Sequence, residues 1–111
     1  MKIHKRHEHN LPGVGYWGER GEVGLRINFG SYRAGEEFPE DKLHYHTTRT
    51  TYFCVIEGEL IVEVSGERVV VTKESMIEIG PMENYRTLEV GEGGCNFVVI
   101  GSHNEDDRVF V

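Results

Sequence analysis

The feature that most constrains this chain is its choice of aliphatic residues: 13 Val, 7 Ile and 6 Thr stand against 5 Leu and a single Ala, Ala34. β-Branched side chains lose rotamer freedom in a helix and fit the pleated, half-buried surface of a sheet, so helix is expected to be a minor component. The apolar residues also come in short runs with a period of two. Leu25, Ile27 and Phe29 alternate with Arg26 and Asn28 between Val23 and Tyr32. Further strands are read at 43–47, 50–56, 59–64, 68–72, 76–79, 85–90 and 95–101, with breaks at Glu57-Gly58 and at the turn Gly91-Glu92-Gly93-Gly94. Ser65-Gly66 reads as a two-residue hairpin turn. Short strands recurring every eight to twelve residues or so predict an all-β sandwich or barrel.

A chain of 111 residues has room for one core, so a single domain is expected. The division expected is an N-terminal arm or edge strand over residues 1–21, a barrel over 22–101 and a tail over 102–111, with the arm pairing across a homodimer. With 12 Lys plus Arg against 19 Asp plus Glu the net charge is −7, which argues against nucleic acid and anionic membranes as partners, because such binding needs a basic surface. No run approaches the roughly 20 apolar residues of a membrane span, and the start MKIHKRHEHN has no apolar secretory core. A cytoplasmic location is expected. Cys54 and Cys95 sit in apolar runs and read as small buried hydrophobes of a reducing compartment. The acidic stretch Glu105-Asp106-Asp107 lacks the spacing of a calcium loop and reads as solvated tail, with His103 on the surface beside it. His4, His7 and His9 likewise read as a solvated terminus.

Leu43-His44-Tyr45-His46, followed by the strand Tyr52 to Ile56 and Glu57-Gly58-Glu59, resembles the first motif of the cupin family, two His one residue apart and then a glycine turn after a hydrophobic strand. Met76-Ile77-Glu78-Ile79-Gly80-Pro81 followed by Tyr85 resembles the second motif. The resemblance covers just under half of the chain, Pro39 to Arg86, and implies a small jelly-roll barrel with its site in the open interior. It also marks two departures: Thr51 stands where the family's acid is usual, and Tyr85 where its second-motif His is usual. Of four familiar metal ligands, His44 and His46 remain.

Alternate residues of a strand share a face, so His44 and His46 converge, about 6 to 7 Å apart along the chain. Neutral imidazole suits several divalent transition metals, and a metal held by His44 and His46 is one reading, with Tyr85, Glu37, Glu40, Asp41 or Glu78 as a third ligand. The other reading is metal-free: an inward His beside Tyr85 serves as general base and acid at a carbon next to a carbonyl, as in cupin relatives that isomerise or epimerise keto sugars. No organic cofactor is implied. Strand parity gives Thr51, Phe53 and Val55 a shared face of their strand, and Tyr85, Thr87 and Glu89 a shared face of theirs, so polar and apolar groups are expected to line one cavity. The expected partner is a small polar molecule, a carbonyl or sugar-like compound. Whether the chain acts on it as an enzyme or senses it as a binding module is left open by the sequence.

Overall fold

The computed structural model of the protein describes residues 1–9, 11–17 and 24–111. The sequence reading of residues 18–23, including the start of the first strand at Val23, lies outside the described residues. The described residues form nine strands: β1 Arg6–Glu8, β2 Val14–Trp17, β3 Arg26–Arg33, β4 His44–His46, β5 Thr51–Val64, β6 Glu67–Val71, β7 Met76–Ile79, β8 Tyr85–Gly101 and β9 Arg108–Phe110. Among the described residues no helix is long and apolar enough to cross a membrane. The order along the sheet is β1-β2-β3-β8-β4-β9, and β5 pairs with β6, β7 and β8.

β5 and β8 form the spine, antiparallel from Thr51 opposite Gly101 to Val64 opposite Tyr85. Here the structure differs from the sequence reading, which broke both strands at their glycines. Both run through, and register shifts between Val55 and Glu57, Gly58 and Leu60, and Ile61 and Val62 bend them. Gly58 and Gly94 both have positive φ, 80° and 86°, and a Cβ on Gly58 would lie 2.1 Å from the Gly94 carbonyl oxygen. The glycines thus permit backbone contact at a bulge and end nothing. Ser65-Gly66 is a true hairpin turn, with φ of 50° and 81° joining β5 to β6 as a type I′ turn requires.

One end of the barrel is closed by Leu60, Val62 and Val71, with Val55, Ile79, Tyr32, Phe53, Phe97 and Cys95 continuing the core. Each such Leu or Val contributes about 1.5–3 kcal/mol by leaving water. Burial pushes the Cys95 thiol up to about 11, which makes it a poor nucleophile near neutral pH. At the other end the interior turns polar. β9 pairs with β4, Phe110 opposite His44 and Arg108 opposite His46, and so carries the C-terminal segment to the rim of that end.

Candidate functional site in the open end of the barrel

β4 is three residues long, and its first and third side chains, His44 and His46, are each about 5% exposed while Tyr45 between them is half-buried. Both imidazoles face a cavity of about 280 Å³, with ring centres 5.3 Å apart. Tyr85, at the start of β8, is the ladder partner of His44 and packs against it with ring centres 4.4 Å apart and planes tilted by 55°. Thr51 and Phe53 from β5 and Thr87 from β8 complete this wall. Two residues of the expected inward faces go elsewhere. Val55 belongs to the closed core, and Glu89 points outward to pair with Arg68, because the bulge at Ile61 and Val62 reverses the parity between Thr87 and Glu89.

The two histidines are wired differently. His44 Nδ1 lies 2.6 Å from the Lys42 carbonyl oxygen and donates to it, leaving Nε2 with a lone pair. His46 Nδ1 donates to Asp107 Oδ1 at 2.8 Å, and its Nε2 meets the Tyr85 hydroxyl at 3.0 Å. With a proton on Nδ1, Nε2 is an acceptor and the Tyr85 O–H donates to it. When His46 is charged, Nε2–H donates instead and the Tyr85 hydroxyl turns toward Thr51 Oγ1, 3.4 Å away. The arrangement is a line of three groups, Asp107, His46 and Tyr85, along which a proton can be held at either end.

Burial lowers the His46 pKa, the Asp107 carboxylate opposing it and Arg49 adding to it. Burial likewise pushes the Tyr85 phenol up to about 12, against the Thr51 hydrogen bond and with Asp41 raising and Arg49 and Arg108 lowering it. Burial also works to raise the Asp107 carboxyl. It is outweighed by hydrogen bonds from Thr48 N–H, His46, Arg49 N–H and the Thr48 hydroxyl, which hold the group well below the usual carboxylate range. At neutral pH the line therefore reads carboxylate, neutral imidazole, phenol.

Asp107 corrects the sequence reading of the acidic stretch as solvated tail: its side chain is only 9% exposed. His103 is also drawn in, with Nε2 2.9 Å from Thr48 Oγ1 and 3.5 Å from Asp107 Oδ2. Nothing local marks Asp107 among its acidic neighbours. It is selected by the return of β9 alongside β4, a contact across 61 residues. Arg49 was missed for a similar reason. It lies in the polar run Thr47 to Thr50, yet is 7% exposed, its Nη2 donating to the Glu105 carbonyl oxygen at 2.6 Å. At the other end of the chain His7 lies in β1 and stacks on Tyr16 at 5.3 Å, more ordered than a solvated terminus.

The donor set fits a divalent metal poorly. Among the described residues no three His, Cys, Asp or Glu gather in a metal-binding group. Of the third ligands considered from sequence, Glu37 and Glu78 are exposed, and Glu40 is exposed at the cavity rim. Asp41 Oδ2 accepts from the Thr87 N–H and hydroxyl. Both ring nitrogens of His46 are engaged, and Tyr85, the remaining candidate, is a phenol well above neutral pH.

No protein-family model matches the chain, and no curated protein does. Solved structures do match. A variant of Streptomyces PAC13 with uridine superposes with a TM-score of 0.70 at 18% identity, over 97% of this chain and 84% of that one. Another structure of the same protein, TM-score 0.69 at 17% identity, with the same coverage, is described as a unique nucleoside dehydratase. KdgF from Halomonas sp. gives a TM-score of 0.67 at 17% identity, over 94% of this chain and 90% of that one. A cupin protein from Bacteroides fragilis gives 0.61 at 15% identity, over 80% and 74%.

Proposed function

The chain has a cupin, or double-stranded β-helix, fold, and on that scaffold we propose that the open end binds a small polar, sugar-like molecule and moves a proton at a carbon beside its carbonyl. The observation that carries the reading is the line Asp107–His46–Tyr85, with contacts of 2.8 and 3.0 Å. A base and an acid in contact at the wall of a cavity are what such a reaction needs. Asp107 keeps the proton on Nδ1, so that His46 Nε2 is the base. The Tyr85 phenol stays protonated at neutral pH and serves as the acid, donating to the substrate carbonyl oxygen as the ligand enters between it and His46. The C–H bond then breaks toward Nε2, the electron pair moves onto the carbonyl oxygen, and the proton is returned at a neighbouring atom. Return to carbon isomerises or epimerises the compound; delivery to a β-hydroxyl eliminates water. The second course is supported by the description of PAC13 as a nucleoside dehydratase, since loss of water across a carbon–carbon bond needs an acid and a base. Its uridine complexes make a sugar-bearing ligand a sensible first choice here.

The metal reading on His44 and His46 ranks second because His46 is already held by Tyr85 and Asp107. In the metal-free reading His44 orients Tyr85 by packing against its ring. The same reading keeps a homodimer in the cytoplasm as the expected form, and light scattering on the eluting protein tests the dimer.

The test is exchange of the proton beside the carbonyl into deuterated water, followed by NMR across a panel of keto sugars, uronates and oxidised nucleosides. Turnover of at least one compound is expected, falling by about 100-fold or more in His46→Gln and in Tyr85→Phe. Exchange that survives both substitutions overturns the assignment. A compound that raises the melting temperature without exchanging in the wild type points to a binding module instead.

A further inference from the structure

The cavity is polarised along its length. At one end Asp41 is held by Thr87, beside His44 and Tyr85. At the other, Arg26 and Arg49 approach the same space, with Arg108 at the rim, its guanidinium 4.9 Å from the Phe110 ring centre. Arg26 stands on β3 opposite Gly101, Arg108 stands on β9 opposite His46, and Arg49 lies over Gly101 itself. A Cβ on Gly101 would meet Arg49 Cδ at 2.9 Å and Arg26 Cβ at 3.2 Å, so the bare glycine is what lets two cationic side chains share one patch of sheet.

Arg49 is the most demanding of the three. A guanidinium carries five N–H donors. Arg49 is 7% exposed, donates through Nη2 to the Glu105 carbonyl oxygen, and has a buried Nε with no hydrogen-bond partner. Asp107 Oδ1 forms an ion pair with Nε but at 3.9 Å lies beyond hydrogen-bond reach, and Asp107 is already shared among Thr48, Arg49 N–H and His46. A buried donor left without a partner costs free energy, most of all on a charged group. Of the other acids of the lining, Asp41 accepts from Thr87, Glu40 is exposed, and the exposed Asp106 accepts from the Arg108 N–H at 3.4 Å.

We propose that the Gly101 end of the cavity is an anion subsite, in which Arg49, flanked by Arg26 and Arg108, binds a carboxylate or phosphate group carried by the ligand. This deepens the proposed function by naming the substrate class, and it rests on that reading only for the chemistry at the far end, because holding an anion requires neither His46 nor Tyr85 to act. A ligand so held places its anionic group on Arg49 and the rest of its length past His46 and Tyr85, toward Asp41, whose carboxylate suits hydroxyl groups.

Three probes with one ring, glucose, glucuronate and glucose 6-phosphate, test it by isothermal titration at low ionic strength on the full chain. One or both anions are expected to bind at least about tenfold more tightly than glucose, the factor expected for a charge-assisted hydrogen bond. Which of the two binds separates carboxylate from phosphate. The preference is expected to persist in Tyr85→Phe, which disables the proposed acid, and to fall about tenfold in Arg49→Met. Should Arg49→Met not fold, the double variant Arg26→Gln/Arg108→Gln decides, with a severalfold fall expected. Equal or undetectable binding of all three probes, or a preference unchanged by the arginine substitutions, overturns the subsite. Loss of proton exchange with the preference intact overturns only the catalytic reading.

Discussion

The two ends of β5 belong to one strand and solve opposite problems. Around Leu60 and Val62, both fully buried, the packing is mostly apolar, with Val69, Val71 and Val90 alongside, and position matters mainly for fit. Around Thr51 the strand faces Tyr85, His46 and Arg49, groups equally hidden from water that each need a stated partner. The closed end contributes stability in proportion to the surface it removes from water. The open end gives much of that up to hold polar groups in fixed orientation, and one of them, Arg49 Nε, is still without a hydrogen bond. A small barrel can carry such an end because the same two strands, β5 and β8, anchor it to the apolar one.

If the ends are separable in this sense, Leu60→Ala lowers stability by about 3–5 kcal/mol, the range for a buried leucine whose cavity does not collapse. Binding at the open end should survive at temperatures where the variant is folded. Denaturant unfolding and titration on the same sample check both, and a proportionate loss of binding would break the comparison.

Asp107→Asn is the polar counterpart. The amide oxygen can still accept from the Thr48 and Arg49 N–H groups, but a carboxylate that accepted from His46 Nδ1–H is gone. A loss of about 1–3 kcal/mol is expected, the cost of disturbing a buried hydrogen bond to a charged group. More telling is the ring itself: His46 is expected to shift its proton to Nε2, seen in the nitrogen chemical shifts by NMR. An unchanged tautomer would show that Asp107 does not set it.

Gly101→Ala sharpens the distinction within the open end. The added methyl meets Arg49 Cδ at 2.9 Å, and the arginine must yield. About 1 kcal/mol is expected, at the low end of the cost of overpacking, together with a weakened preference for anions. Full retention of that preference would mean that Arg49 does not need its place over Gly101.

The smallest effect near neutrality is on pH dependence. The folded state lowers the His46 pKa, so the unfolded chain takes up the proton first and stability declines as pH falls below about 6.5. The depressed Asp107 carboxyl contributes stability that is present above about pH 4 and lost on further acidification. On the alkaline side the Tyr85 phenol, raised to about 12, stays protonated after the unfolded chain begins to ionise near pH 10, and stability falls again. Melting temperatures should form a plateau between about pH 6.5 and 8.5, because the Cys95 thiol, raised to about 11 by burial, stays protonated where the unfolded chain begins to ionise. His46→Gln is expected to flatten its acid shoulder and Tyr85→Phe the part of its alkaline decline above about pH 10.

Much of this architecture was legible in the residues. The period of two across Leu25, Ile27 and Phe29 gives a strand, and β3 is found from Arg26 to Arg33. Ser65-Gly66 marks a hairpin because its turn demands positive φ twice. His44 and His46 share a face for the same reason of period. The glycines at 58 and 91–94 misled, since the same residue that ends a strand at a turn also lets two backbones touch inside a sheet. Asp107 and Arg49 were not legible, because their burial comes from the docking of β9 beside β4 and from the absence of a side chain at Gly101, neither of which leaves a local pattern.

Sequence by itself determined that this chain makes a single all-β domain with two inward histidines on a short strand, because side-chain branching and alternation act over a few residues. Tertiary structure alone decided which groups those histidines meet. The hydrogen bonds that place the base, the acid and the buried cation cross 61, 39 and 56 residues of chain. Partners so distant are chosen by the register of the barrel and not by their neighbours in sequence.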